Sequence, residues 1–253
     1  MAKEQLNNIT SIDYWESYYY KKNTKESIIG VCSIYDKYWD LLYNNNSKIP
    51  KEIIEIGGFP GRYLAYISSK FNLKPTCFDY NKNIELSKHS FDEMDVKDYT
   101  LINEDFQNYK TNKQYDIVFS HGFIEHFNDF DGILDNHVAF LKPGGTMMIT
   151  VPNKRNFRYY YGLLLDKENL KQHNVKCMKK SVFINFQKRH NLQLITFEYF
   201  GGFPYNVHQE LNSFQKIIYK LVSKFFKLIN PILVKYPNKY TCSLLICIVK
   251  KNE

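Results

Sequence analysis

Between residues 51 and 151 short apolar runs alternate with longer stretches whose apolar positions recur every three or four residues. The short runs, rich in Ile, Val, Leu and Phe, read as buried strands, and the 3.6-residue period reads as helices with one face on a core. The pattern predicts strands at about 52–56, 75–79, 99–103, 115–120 and 145–151, with helices at about 61–70, 82–93 and 129–141 and a short turn near 107–111. Pro143-Gly144-Gly145 marks a turn into the fifth strand. Such alternation implies a parallel sheet with right-handed crossovers. Beyond it the pattern predicts an irregular aromatic and basic loop over 151–162, a helix near 179–190, and strands at 192–200 and 243–250. The connection 201–241 contains an amphipathic segment, Leu211–Ile229. There Phe214, Ile218, Leu221, Phe225 and Leu228 share one face, Lys216, Lys220, Lys224 and Lys227 another, and Pro231 is expected to end the helix. Such a segment packs on its own domain, lies on a membrane surface or meets a second copy. Residues 1–50 carry a helical pattern near 28–42, broken by Asn44-Asn45-Asn46-Ser47.

The first strand runs into Glu55-Ile56-Gly57-Gly58-Phe59-Pro60-Gly61-Arg62. Strand, glycine turn and helix open a doubly wound domain, and glycine lets a ligand approach the backbone. A dinucleotide fingerprint needs G-x-G-x-x-G, and counting from Gly57 the other two glycines are replaced by Phe59 and Arg62. The acid Glu55 before the turn suits instead a ligand with hydroxyl and amino groups. Asp79 ends the second strand, 22 residues after Gly57. An acid there can accept from both ribose hydroxyls of an adenosine ligand, with Tyr80 packed on the adenine; the alternative is a helix N-cap.

The net charge of +8 raises a nucleic-acid or anionic-membrane reading. Only Arg62, Arg155, Arg158 and Arg189 among 34 basic residues are arginines, and the lysines are scattered among Asn, Ile and Tyr. With no RNA-binding aromatic signature and no zinc-finger spacing, nucleic acid is set aside. Five cysteines without a C-x-x-C pair point to reduced thiols and a cytoplasmic location, and no metal site is expected. No signal-peptide core and no run of about 20 apolar residues is present.

The turn E-I-G-G-F-P-G resembles motif I of the class I S-adenosylmethionine-dependent methyltransferases, with Phe59 standing where the family's middle glycine would be. A second match is Asp116-Ile117-Val118-Phe119-Ser120-His121-Gly122-Phe123-Ile124-Glu125-His126. It resembles the D-x-V-x-S-x-x-x-x-E-H motif of a subgroup that includes quinone-biosynthesis and sugar methyltransferases. Leu141-Lys142-Pro143-Gly144-Gly145 and Val151-Pro152-Asn153 match that subgroup's approach to and exit from its fifth strand. The resemblance covers about residues 50–155.

It implies a Rossmann-like α/β fold, a seven-stranded sheet of order 3-2-1-4-5-7-6 with strand 7 antiparallel. The expected organisation is one domain: a helical cap over 1–50, a cofactor core over 51–200, an insertion over 201–241, and the last strand and tail over 242–253. The implied cofactor is S-adenosylmethionine, held by Glu55, Gly57, Gly58, Gly61, Asp79 and Tyr80. Asp105 would accept from the adenine amino group, Phe106 would pack on its ring, and Ser120 joins the same set. Among the N-terminal aromatics Tyr14, Trp15, Tyr18 and Tyr19, Tyr19 is the candidate beside the sulfonium.

In that strand order the loop holding His121 and His126 faces the crevice where the order reverses. Methyl transfer to a hydroxyl or amine needs a proton removed, and either histidine suits the role. Lys154, Arg155 and Arg158 leave the fifth strand at the same edge, where guanidinium can grip a phosphate or carboxylate. Arg155, Arg158, Tyr205 and His208 are the candidates for acceptor binding. The expected function is O-methylation of a small, anionic sugar or nucleotide-linked acceptor; alternatives are a lipid-linked acceptor, an amine, or, in another class, a non-catalytic adenosine-ligand binder favoured by Phe59. Expected partners are the small-molecule acceptor alone, with peripheral membrane contact open, and a monomer or homodimer.

Overall fold

A computed structural model describes residues 7–11, 14–15 and 21–253. Tyr18 and Tyr19 lie outside the described residues. Two helices, α1 (Lys25–Cys32) and α2 (Asp36–Asn44), lead into the core. Thr24 caps α1 in a capping box with Ser27, each side chain bonding the other's backbone N–H. The core then runs β1 (Glu52–Ile56), α3 (Arg62–Phe71), β2 (Lys74–Phe78), α4 (Ile84–Glu93), β3 (Thr100–Ile102), β4 (Tyr115–His121), α5 (Phe130–Asn136) and β5 (Leu141–Pro152). Next come α6 (Phe157–Leu165), α7 (Lys167–Lys171), α8 (Lys180–Arg189), β6 (Leu192–Phe200), α9 (Ser213–Lys235) and β7 (Leu244–Lys251).

The strands form one sheet of order β3-β2-β1-β4-β5-β7-β6. β1 to β5 pair in parallel, and β7 is antiparallel to both β5 and β6. Side chains alternate between the two faces, as the pleat requires. Ile54, Ile56, Val118, Met147 and Ile149 face a core that includes Phe183 and Phe186 of α8. Ile53, Ile117, Phe119 and Met148 face the other, which includes Ile28, Trp39 and Leu64. Covered on both faces, the central strands read as near-continuous apolar runs.

Three elements depart from expectation. The Pro143-Gly144-Gly145 turn lies inside β5: Leu141 pairs with Tyr115 and Thr146 with Ile117, so the intervening residues loop out, with Gly144 at φ 73°. The 151–162 stretch is helical from Phe157 onward. Asn156 turns the chain at φ 54°, and Arg158, Tyr161, Gly162 and Leu165 then fall on one buried face. Pro231 does not end α9, which continues to Lys235. Pro231 has no N–H to donate one turn back; beside it the Asn230 side chain ties the helix to the domain, accepting from Phe203 N at 2.9 Å and donating to the Phe203 carbonyl at 3.0 Å. No helix among the described residues is long and apolar enough to cross a membrane.

Candidate active site

A cavity of about 1170 Å³ opens where β1, β2, β4 and β5 end. Its floor is the glycine turn. Gly57 N and Gly58 N both donate to the Phe78 carbonyl, at 2.8 and 3.2 Å, which pins the turn to the end of β2. Gly57 has φ 72°, and a Cβ there would lie 2.2 Å from Phe123 Cδ2. Only glycine fits both demands. Gly61, at φ 84°, closes the turn as the N-cap of α3. Glu55 is buried, and its Oε2 accepts from Leu64 N at 3.2 Å. Burial pushes its carboxyl well above the usual range, against the pull of Arg62.

Asp79 stands at the next strand end. Its Oδ2 accepts from Phe59 N at 3.0 Å and its Oδ1 from Asn81 N at 2.7 Å. The Tyr80 N–H also leans on this carboxylate, and of its about four acceptor sites roughly one remains for a ligand. The helix-cap alternative fails, because α4 begins at Ile84 with Asn83 as its N-cap. Burial raises the Asp79 pKa while its backbone N–H partners hold it down. Tyr80 is half exposed at the rim. Asp105 lines the cavity, although its Oδ1 and Oδ2 already accept from Gln107 N and Asn108 Nδ2 in a local turn. Phe106 is buried against Phe78, Phe123 and Phe140 and closes that end.

The opposite end is built by the turn after β4. Glu125 and His126 are buried, and Nε2 of His126 lies 3.7 Å from Glu125 Oε1. His126 Nδ1–H donates to the Gln172 carbonyl at 2.8 Å, and His173 Nδ1–H to the Asn169 carbonyl at 2.7 Å. Both tautomers are therefore fixed with Nε2 unprotonated. Burial pushes His126 down to about 4 and His173 to about 2, with the Lys154 charge adding to both. Burial pushes Glu125 up to about 8 and leaves its Oε2 without a hydrogen-bond partner. Trp15 meets the His126 ring edge-on at 4.8 Å, and Ile9 N donates to the His126 carbonyl at 2.8 Å. Ile9 and Trp15 thus lie over this end.

Two buried cations complete the wall. Lys154 is desolvated, with its pKa lowered to about 8. Arg158, on α6, approaches Asp166 Oδ2 only to 3.9 Å, and its Nη1 is buried without a partner. His208 Nδ1 bonds Asp166 Oδ2 at 3.1 Å.

A family model described as "Methyltransferase domain" matches residues 33–199, about two thirds of the chain. The chain belongs to the methyltransferase-domain family. It is 30% identical over 113 residues to a malonyl-[acyl-carrier protein] O-methyltransferase 2 of Ilyobacter polytropus, covering 42% of this chain and 40% of that protein. It is 28% identical over 120 residues to a ubiquinone biosynthesis O-methyltransferase of Pelagibacter ubique, covering 45% and 49%. The chain thus spans less than half the length of these curated relatives. A SAM-dependent methyltransferase structure from Archaeoglobus fulgidus superposes with a TM-score of 0.59 at 13% identity, over 96% of this chain and 100% of that one. The fold is that of the class I S-adenosylmethionine-dependent methyltransferases.

Within this methyltransferase domain the cavity brings together Glu55, Gly57, Gly58, Asp79, Tyr80, Asp105, Phe106, His121, His126, Arg158 and His208. Among the described residues, four expected ones do not line it. Gly61 acts one step away, as the helix cap. Ser120 is fully buried beneath the floor, its hydroxyl bonded to His137 Nε2 at 3.2 Å. Arg155 turns toward the Met178 carbonyl, with Nη1 at 3.5 Å. Tyr205 packs in the small core under α9, where its carbonyl accepts from Tyr161 Oη at 2.6 Å. His121 lines the cavity wedged between Tyr35 and Tyr63, its Nδ1 paired with Thr150 Oγ1 at 2.9 Å and burial pushing it down to about 3.

Asp166 and His173 were not anticipated, since only tertiary folding brings α7 and the turn after it to the cavity. The ligand atoms of Glu125, His126 and His173 lie within 4.8 Å of one another, a carboxylate and two imidazoles of the kind that bind divalent metals. The Lys154 charge, felt by all three, opposes a cation there.

Proposed function

We propose that this methyltransferase transfers a methyl group from S-adenosylmethionine to an oxygen of a small acceptor carrying a carboxylate or phosphate. The cofactor supplies an electrophilic methyl on a sulfonium. The residues at one end of the cavity fit it: a close-approach glycine turn, a carboxylate with acceptor capacity to spare at Asp79, and an aromatic wall at Phe106. Glu55 and Asp79 would take its amino and hydroxyl groups.

One observation carries the acceptor reading: Arg158 is buried in the cavity wall with Nη1 unpartnered, beside the desolvated Lys154. Two such cations strongly favour an anion in low dielectric. In this reading His126 receives the acceptor's proton. Its Nδ1–H is committed to Gln172, so Nε2 is the acceptor atom. Burial keeps it neutral at working pH, and the protein's part is otherwise to hold the hydroxyl in line.

The test uses methyl-labelled S-adenosylmethionine with paired hydroxyl compounds, each with and without a carboxylate or phosphate. Label should pass to the oxygen of the anionic members. Arg158→Gln should raise KM for such an acceptor by about 10- to 100-fold, the cost of one charge-assisted bond. Arg155→Gln should change nothing, and S-adenosylhomocysteine should bind both variants like wild type. Equal transfer to uncharged acceptors would overturn the reading.

A further inference from the structure

The helix α9 carries three stripes at offsets of three and four residues. Tyr219, Ser223, Phe226 and Asn230 face the domain, with Ser223 and Phe226 buried. Phe214, Ile217, Leu221, Phe225, Leu228 and Ile232 form a second stripe that is solvent-exposed, Leu221 by 66% and Leu228 by 79%. Lys216, Lys220, Lys224 and Lys227 form the third. Each of Ile217, Leu221, Phe225 and Leu228 directly follows a lysine, so the lysine row runs along the edge of the exposed apolar row. A shallow apolar groove between α9 and α6, lined by Phe157, Leu221 and Phe225, widens the patch. Exposed apolar surface on this scale marks a contact site.

Charge decides what covers it. No aspartate or glutamate occurs from Leu211 to Asn252. None of the four lysines forms an ion pair among the described residues. A second copy of the helix would set lysine against lysine with no acid to pair. Protein interfaces select arginine over lysine, and this face has no arginine. The occupant must offer diffuse negative charge directly above an apolar layer. We propose that α9 docks this protein on an anionic lipid bilayer, with its apolar stripe at the acyl boundary and its lysines among the headgroups. The docking does not depend on the proposed acceptor. The two surfaces are nevertheless joined: Phe226 stacks on Phe203 at 3.9 Å, and Phe203 packs under the Arg158 guanidinium.

The experiment is cosedimentation of the full chain with vesicles of phosphatidylcholine alone or mixed equally with phosphatidylglycerol. The protein should bind the mixed vesicles only, and added salt should release it. Replacing Lys216, Lys220 and Lys224 with Gln should weaken binding on the order of 10²-fold, at about fivefold per lysine. Leu221→Gln with Leu228→Gln should also abolish sedimentation. All variants change exposed side chains, and unchanged S-adenosylhomocysteine binding would establish that each is folded. Failure to bind mixed vesicles, equal binding to neutral ones, or undiminished binding by either variant would overturn the proposal. A concentration-dependent dimer lost in the leucine variant would overturn it in favour of a second copy.

Discussion

Gly57→Ala is the sharpest probe of the cofactor turn. Two costs add at this position. An L-residue at φ 72° sits in the left-handed region, at about 1–2 kcal/mol. The new Cβ would lie 2.2, 2.8 and 2.9 Å from three ring atoms of Phe123, so that ring must move. Phe123 is itself packed on Phe106 and Phe127, at centroid distances of 5.6 and 4.9 Å, and displacing it costs about 1–3 kcal/mol. The expected loss is therefore about 2–5 kcal/mol, a large part of a domain's stability. Urea unfolding of Gly57→Ala, Phe123→Ala and the double variant separates the two costs. The double variant keeps the backbone strain and loses the clash. It should be more stable than the sum of the singles predicts, by about 1–3 kcal/mol. S-adenosylhomocysteine affinity should fall in Gly57→Ala and recover in part when Phe123 is cut back. Additive stabilities across the cycle, or an unchanged midpoint for Gly57→Ala, would refute the reasoning.

Asp79→Ala should weaken S-adenosylhomocysteine binding by about 1–3 kcal/mol, the scale for unpaired polar groups, as measured by calorimetry; equal binding by the folded variant would remove Asp79 from the cofactor site. If Nε2 of His126 takes the proton, activity requires the neutral ring. It should then be lost as pH falls through about 4, rather than near the ordinary histidine value of 6.5; an acid limb at 6.5 in the kcat profile would point to an exposed base instead. His126→Ala should lower kcat by about 10²–10⁴-fold with cofactor affinity intact, and undiminished turnover would show that positioning suffices. Methyl transfer should be indifferent to a chelator, because Lys154 opposes a cation beside Glu125, His126 and His173; activity restored only by a divalent metal would reverse that assignment.

The periodicity in the sequence made the sheet legible, because strands covered on both faces must be apolar throughout. The glycine turn was legible because its geometry admits no other residue. The motif from Asp116 to His126 was read as one signature, and the structure divides it by position along β4. Asp116, at the start of the strand, accepts from Lys51 N and Glu52 N at 2.9 Å and pairs with Lys142 at 3.1 Å, joining β1, β4 and β5 far from the cavity. Ser120 lies under the floor, and only the end of the motif reaches the site. Arg155 and Arg158 looked equivalent in sequence. The turn at Asn156 and the start of α6 decide between them, and neither leaves a local signature as strong as a proline or glycine. His173 and Asp166 were invisible for a simpler reason: their approach to His126 and Arg158 exists only once α7 has packed.

β7 follows β6 in the chain, yet it lies between β5 and β6, and β6 has no other neighbour in the sheet among the described residues. A chain emerging from the ribosome therefore cannot seat Leu192–Phe200 until Lys251 has been made. For that interval β5 presents an open edge along an apolar strand, and β6 waits as an unpaired one. Each is a template for the wrong partner. Timing during synthesis, rather than the strength of any finished contact, makes this end of the sheet the point where assembly is exposed to error.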